Sequence, residues 1–178
     1  MKAPVFQAVD VFGNKVTLTE QKTGYTLLAF LRYSGCPWCN LAIYRLSLEY
    51  KQLKSQNCRI IAFVQSDKTG IKLNIYDRHN PRPQFPIIPD HAKRYYDLYE
   101  VDSSYKDKIK LFTKLPSWLH SVQKLGFKQS KMDGSMLLVP AWFLINNKNG
   151  RIVRSQRGIS FYDHETFIDI YNSLIFKD

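Results

Sequence analysis

The sequence predicts an α/β domain with a mixed central sheet, and three stretches of the chain carry this prediction. Residues 25–31 and 58–64 are short apolar runs typical of buried strands, and residues 38–54 between them have apolar side chains at helical spacing. Strand, helix and strand in succession form a βαβ unit, whose strands pair in parallel through a right-handed crossover. Residues 136–145 and 151–154 flank a polar turn and predict an antiparallel hairpin, which makes the sheet mixed.

The first elements along the chain are a hairpin and the long helix. Residues 7–10 and 15–18 flank Phe12-Gly13-Asn14, a turn signal, and predict an N-terminal hairpin. Pro37 stands at the start of the helix, where proline is tolerated because its missing N–H would have no partner. The apolar face of this helix comprises Ile43, Leu46, Tyr50 and Leu53.

Three further helical regions follow. Ser66 or Asp67 is placed to cap one helix, Asp90 caps a second, and a third covers about 163–175. Residues 102–131 are polar and lysine-rich, and we expect a helical insert there before the C-terminal hairpin. The apolar patch of this insert consists of Leu115, Trp118, Leu119 and Val122.

Length and composition indicate one soluble globular domain over residues 1–178. The chain is 44% hydrophobic and 23% charged, which is ordinary for such domains, and it contains no repeat or linker-like stretch. Its net charge is +11, from 26 Lys and Arg against 15 Asp and Glu. The basic residues are spread along the chain without a nucleic-acid motif, so we expect a solvated surface. Neither a nucleic-acid partner nor a membrane partner is expected, and the oligomeric state is left open.

The three cysteines, Cys36, Cys39 and Cys58, indicate a reducing compartment. An odd number at low density is not the pattern of a secreted disulfide framework, and no apolar signal region begins the chain. We therefore expect a cytoplasmic protein. Cys58 begins an apolar strand and is predicted to be buried.

The Cys36-Pro37-Trp38-Cys39 motif has the spacing that thiol–disulfide chemistry requires. Cys36 is expected at the mouth of the helix, where free N–H groups and the helix dipole favour a thiolate. Cys39 lies one turn inside, more sheltered and within reach of Cys36. The spacing predicts that Cys36 attacks a substrate and that Cys39 resolves the intermediate as a disulfide.

Two other interpretations of the cysteine pair stay open. The pair could be half of a zinc site, but a closed site needs about four ligands. The remaining ligand types, Cys58, His79, His91, His120 and His164, have no paired spacing, so we expect neither a metal nor another cofactor. The cysteines could also be inert packing residues.

Pro140 is predicted to face the cysteine pair. A βαβ unit followed by a hairpin and a final helix is the order of elements in thioredoxin-like folds. In these folds a cis proline at the start of the hairpin offers its backbone to the substrate. A structural alternative is a proline that merely begins a strand.

Three segments resemble the peroxiredoxin-like branch of the alkyl hydroperoxide reductase/thiol-specific antioxidant (AhpC/TSA) family. They are residues 29–39 (AFLRYSGCPWC), 85–90 (FPIIPD) and 138–145 (LVPAWFLI). The resemblance implies a thioredoxin-like fold and the reduction of hydroperoxides or disulfides. It also implies a thiol reductant of the thioredoxin or glutathione type.

The sequence departs from the family pattern beside the first cysteine. Typical members carry Thr or Ser three residues before it and Pro seven residues before it, where this chain has Tyr33 and Ala29. The resemblance therefore implies that a substrate-binding hydroxyl comes from Tyr33 or Ser34, if one is present. Trp38, inside the motif, is also predicted at the substrate.

The family also uses an arginine to polarise the peroxide and hold the thiolate. Arg32, Arg154 and Arg157 are the candidates, and we favour Arg157.

Three functions follow from these observations. The leading hypothesis is a thiol-dependent peroxidase in which Cys36 becomes a sulfenic acid that Cys39 condenses to a disulfide. The second is a reductase of protein disulfides. The third is a redox-sensing or partner-binding protein that uses the insert around Trp118.

Overall fold

A computed structural model describes residues 1–19, 23–101, 120–135, 138–157 and 171–172. The predicted helices around Trp118 and over 163–175 lie outside these ranges, apart from a π-helical turn, His120–Lys124, and the helical pair at 171–172. Within the described ranges, no helix combines the length and the apolar character that a membrane span requires.

The centre of the structure is a five-stranded mixed sheet with the order β5-β4-β3-β6-β7. The strands β3, β4 and β5 run parallel, β6 is antiparallel to β3, and β7 is antiparallel to β6. Their bounds are Tyr25–Leu31 (β3), Cys58–Val64 (β4), Ile87–Pro89 (β5), Ala141–Asn146 (β6) and Arg151–Arg157 (β7). This is the mixed sheet that the sequence predicts.

A two-stranded hairpin, β1 (Phe6–Val9) and β2 (Lys15–Leu18), precedes the sheet as predicted. Its turn is held by the buried carboxylate of Asp10, which accepts hydrogen bonds from the backbone of Phe12 and Asn14. Arg59 on β4 donates to the Thr17 carbonyl at 2.6 Å and fastens the hairpin to the sheet.

The long helix α1 (Pro37–Ser55) forms the crossover between β3 and β4. Its predicted apolar face is confirmed, since Ile43, Leu46 and Leu53 are buried and Tyr50 packs against the same core. Side chains alternate along a strand, so β3 has two buried faces. Leu27, Ala29 and Leu31 lie on one face together with both motif cysteines, and we call this the cysteine face. Leu28 and Phe30 lie on the opposite face.

Two short helices are capped by the predicted aspartates. The Asp67 side chain accepts from Gly70 N at the start of α2 (Lys68–Ile71), which continues into a π-helical turn, Lys72–Tyr76. Asp90 accepts the N–H groups of Arg94 and Tyr95 at the start of α3 (Arg94–Leu98).

The first hairpin strand is shorter than predicted and begins at Ala141, directly after Pro140. Proline has no N–H to give to a ladder, which explains the boundary. Pro140 differs from the cis proline of thioredoxin-like folds, because the only cis peptide bond in the described residues precedes Pro81.

Candidate active site

The site is built where β3 ends and α1 begins. Residues 32–36, which we call the cysteine loop, connect the two elements, and Cys36 is the N-cap residue of α1 with φ −80° and ψ 123°. The predicted position at the helix mouth is therefore confirmed. A 19-residue helix with no acidic residue in its first turn presents free N–H groups and positive potential there.

Arg32 is the arginine that contacts Cys36. Its Nη2 donates to the Cys36 Sγ at 2.9 Å, and its guanidinium lies over the Trp38 ring at 5.3 Å from the ring centre. Arg32 is itself buried, at 4% exposed. A buried guanidinium requires a negative partner, and a Cys36 thiolate supplies that charge.

The two cysteines differ in their pKa. Burial alone would raise the pKa of Cys36, but the Cys39 thiol, the Arg32 charge and the N–H groups of Cys39 and Trp38 together lower it to about 6. Burial, and then the hydrogen bond to Cys36 and its charge, raise the pKa of Cys39 well above the ordinary value. At neutral pH the pair is thus a Cys36 thiolate that accepts a hydrogen bond from a Cys39 thiol.

Both sulfurs are enclosed, with Cys36 0% and Cys39 1% exposed. From the sequence, only Cys39 is expected to be sheltered from solvent. Residues 127–135, which we call the covering segment, cross the cysteine loop and hydrogen-bond to it. Ser130 N donates to the Gly35 carbonyl at 3.1 Å, and the Tyr33 hydroxyl donates to Gln129 Oε1 at 3.2 Å.

The covering segment also bonds to the elements around the loop. Ser66 Oγ donates to Asp133 Oδ1 at 2.7 Å and accepts from Ser34 N at 2.8 Å, so one hydroxyl joins the segment to the loop. Ser130 Oγ donates to Asn74 Oδ1 at 2.8 Å. The covering segment is therefore hydrogen-bonded both to the loop that carries Cys36 and to the elements beside it.

Comparison with known proteins supports a peroxiredoxin assignment. The model of the AhpC/TSA family matches residues 1–155 of the 178. The chain belongs to the AhpC/TSA family. It is accordingly a thiol-dependent oxidoreductase, and the resemblance noted in the sequence is confirmed. A search of curated protein sequences gives no match.

Solved peroxiredoxin structures share the fold of this AhpC/TSA protein at low sequence identity. A cysteine-to-serine mutant of peroxiredoxin Q from Xanthomonas campestris is 12% identical with a TM-score of 0.66, over 95% of this chain and 89% of the other. The yeast mitochondrial 1-Cys peroxiredoxin is 16% identical with a TM-score of 0.66, over 98% and 73%. The reduced 2-Cys peroxiredoxin of Plasmodium vivax is 16% identical with a TM-score of 0.64, over 97% and 93%. These likenesses establish the thioredoxin-like fold.

The structure does not bring Arg157, the arginine favoured from the sequence, to the cysteines. Arg157 pairs with Ala141 in the sheet, and Ala141 belongs to the core of the opposite face. Its guanidinium contacts the Tyr99 carbonyl at 3.2 Å and Glu100 at 3.8 Å. Arg154 is exposed on the same strand. The arginine close to the thiol precedes it by four residues, and that spacing is the signal in the sequence.

The other predicted substrate residues lie around the loop. The hydroxyl of Ser34 accepts from Asn74 Nδ2 at 3.1 Å, and the hydroxyl of Tyr33 is engaged by Gln129. Pro140 is buried at the end of the sheet where the cysteine loop begins, since Ala141 pairs with Phe30. Their contact with a substrate remains a prediction.

Two polar residues near the site are absent from the sequence-based candidates. Asn40, directly after Cys39, is 1% exposed and donates to the Ser34 carbonyl at 2.6 Å and the Cys36 carbonyl at 3.0 Å. His79 is 4% exposed, and its Nε2 lies 2.8 Å from Asn40 Oδ1. The adjacency of Asn40 to the motif is its only signal in the sequence, and His79 has none.

Cys58 is buried as predicted, and burial raises its pKa to about 12. In the part of the chain that the structure describes, no three His, Cys, Asp or Glu side chains come together as a set that could hold a metal ion.

Proposed function

We propose that this protein reduces hydroperoxides through Cys36, with Cys39 as the resolving thiol. The observation that carries the proposal is the contact of Arg32 Nη2 with the Cys36 sulfur at 2.9 Å, at the N-terminus of α1. A guanidinium in this position stabilises the thiolate and can also polarise the peroxide that the thiolate attacks.

The reaction has two steps. The Cys36 thiolate attacks one peroxide oxygen, the O–O bond breaks, and the leaving oxygen takes a proton and departs as an alcohol or water. Cys36 is then a sulfenic acid. Cys39 attacks the oxidised sulfur, water leaves, and an internal disulfide forms. A thiol donor of the thioredoxin or glutathione type returns the pair to two thiols by exchange. Such donors act in a reducing compartment, so a cytoplasmic location is part of the proposal.

Three cysteine variants test this assignment. We expect Cys36→Ser to lower peroxide consumption with a dithiol donor to the uncatalysed rate, because the nucleophile is lost. Cys39→Ser should still consume one equivalent of peroxide and accumulate a sulfenic acid that dimedone traps. Cys58→Ala is the matched control, since Cys58 is equally buried but lies at the other end of the sheet. Parental peroxide turnover in Cys36→Ser would refute the proposal.

Reduction of protein disulfides is the second candidate, favoured by the Cys-x-x-Cys spacing of the motif. A protein disulfide must reach Cys36 itself, and Cys36 is 0% exposed. A small peroxide needs far less opening, which is why we place it first. Measuring both rates on one preparation, with peroxide and with a protein disulfide, separates the two functions. The partner-binding function rests on Trp118, which lies outside the described residues, and it stays a prediction.

A further inference from the structure

We propose that Asn40 and His79 act as a positioning pair that holds the cysteine loop with backbone N–H groups aimed at the Cys36 sulfur. The inference rests on the proposed function only in taking Cys36 as the reacting thiol.

Asn40 controls where the carbonyl oxygens of the loop point. Its Nδ2 donates to the carbonyls of both Ser34 and Cys36, and its backbone N–H also donates to the Cys36 carbonyl, at 3.0 Å. A carbonyl oxygen turned toward the sulfur would disfavour a negative charge there. Because Asn40 binds two of these oxygens, it holds the loop against the start of α1, where the N–H groups of Trp38 and Cys39 are directed at the sulfur.

His79 determines the orientation of the Asn40 amide. Both amide hydrogens are used by carbonyls, so Asn40 Oδ1 must accept, and His79 Nε2 must donate across the 2.8 Å contact. Without this donor, only the two carbonyls would oppose a flip of the amide that exchanges its oxygen and nitrogen atoms. Burial, with a smaller effect of the Arg78 charge, lowers the pKa of His79 to about 4, so the ring is neutral with its proton on Nε2.

The position of the His79 ring is itself fixed by the covering segment. The ring stacks on Phe127, with centres 4.4 Å apart and planes at 23°, and it makes a T-shaped contact with Tyr44. Its buried Nδ1 has no hydrogen-bond partner among the described residues. A leucine would fill the same space without leaving a buried nitrogen unpaired. We therefore infer that the hydrogen bond to Asn40 is the reason for a histidine at this position.

Two nearly isosteric variants test the pair: Asn40→Leu removes the amide, and His79→Phe keeps the stacked ring but removes the donor. The readout is the pKa of Cys36 in the reduced protein, from thiolate absorbance against the same background with Cys36→Ser. We expect the pKa of Cys36 to rise by about one unit in each variant, a roughly fivefold loss of thiolate at pH 6. His79→Gln, which can donate again, should restore most of the parental value.

The matched control is Asn147→Leu. Asn147 is also a buried asparagine, 3% exposed, and it accepts from Thr26 Oγ1 at 2.7 Å at the far end of β3. We expect this change to lower the stability without moving the pKa of Cys36. If Asn40→Leu does not fold, His79→Phe decides the question.

An unchanged pKa of Cys36 in His79→Phe overturns the inference, and so does an equal rise in Asn147→Leu. The measurement uses no peroxide, so its outcome is independent of whether Cys36→Ser abolishes peroxide reduction. Failure of the positioning pair and failure of the proposed function are therefore distinguishable.

Discussion

At the scale of single residues, the reactivity of Cys36 depends on which cationic side chain contacts its thiolate. Arg32 follows β3 directly and precedes Cys36 by four residues. Its side chain donates a hydrogen bond to the Cys36 sulfur at 2.9 Å. Trp38 shelters the guanidinium on one side through a cation–π contact. The guanidinium and the helix N-terminus thus act on the same sulfur, and both favour its ionised form.

Replacing Arg32 should shift the pH dependence of Cys36. A thiol with a pKa of about 6 gains thiolate as the pH rises through 6 and loses it as the pH falls below 6. Removal of the Arg32 charge moves this midpoint upward, so we expect Arg32→Gln to lower the rate of Cys36 modification at pH 6 by about tenfold. Rates of modification between pH 5 and 9, mapped to Cys36 by mass spectrometry, check this.

The Arg157→Gln variant tests whether Arg157, favoured from the sequence, or Arg32, which contacts Cys36 in the structure, stabilises the thiolate. Arg157 contacts Glu100 and Tyr99 on the opposite face of the sheet, so we expect the midpoint of Cys36 modification to stay at its parental value. A shift in Arg157→Gln larger than that in Arg32→Gln would show that the arginine roles are reversed.

At the scale of elements, the covering segment packs on the loop that carries Cys36, so we expect it to limit access to the thiols. Gly35 permits its close approach, because a Cβ on Gly35 would lie 2.3 Å from Ser130 Oγ and 2.9 Å from the Lys131 carbonyl. The segment thus packs directly on the backbone of the loop. Small peroxides, larger peroxides and protein disulfides need increasing displacement of it, so the segment also bears on substrate size.

Gly35→Ala should raise the accessibility of Cys36. The added methyl group cannot fit beneath Ser130 and must push the covering segment away. We expect a several-fold faster reaction of Cys36 with iodoacetamide above pH 7 and faster hydrogen exchange over 127–135. Adding Ser130→Ala removes the closest clash and should reverse part of the effect.

Gly13→Ala controls for general destabilisation. Gly13 has φ +94° with no atom within 4 Å of the added Cβ, so the change strains the hairpin turn without touching the site. Equal acceleration of Cys36 alkylation in this variant would show that the covering segment is not the barrier.

At the scale of the whole molecule, β3 separates two cores of different composition. The cysteine face holds both thiols, together with Trp142 and the apolar side of α1. On the opposite face, Phe30 stacks on Phe63 with ring centres 4.6 Å apart and contacts Tyr96 edge-on. The thiols therefore lie on one face of β3, and the aromatic cluster around Phe30 lies on the other. The assignment of residues 1–178 to a single domain stays a prediction.

Phe30→Ala should destabilise the fold with little effect on the thiols. Phe30 is 0% exposed, and truncation of a buried phenylalanine costs about 3–5 kcal/mol. Urea unfolding measures this loss, and Val153→Ala, at an exposed position on β7, should change stability by less than about 0.5 kcal/mol. A large change in the pKa of Cys36 in folded Phe30→Ala would contradict the separation of the two faces.

The sequence predicts most elements because their signals are local. The apolar runs of β3 and β4, the periodicity of α1 and the capping aspartates each lie within a few residues of the element that they specify. The parallel pairing of β3 with β4 and the antiparallel pairing of β6 with β7 follow from that order. The strand β6 begins later than the sequence predicts, at Ala141, because Pro140 lies within the apolar run and prevents strand pairing there.

The sequence by itself determined a mixed α/β fold and a thiol pair at the mouth of a helix, because spacing along one chain segment is sufficient for both. Tertiary structure alone decided how the thiols are enclosed and which groups hold them. The bonds between Tyr33 and Gln129 and between Asn40 and His79 join residues 96 and 39 positions apart. The separation of the two faces of the sheet likewise keeps Arg157 away from Cys36. Such contacts arise only when the chain folds back on itself, so no local pattern encodes them.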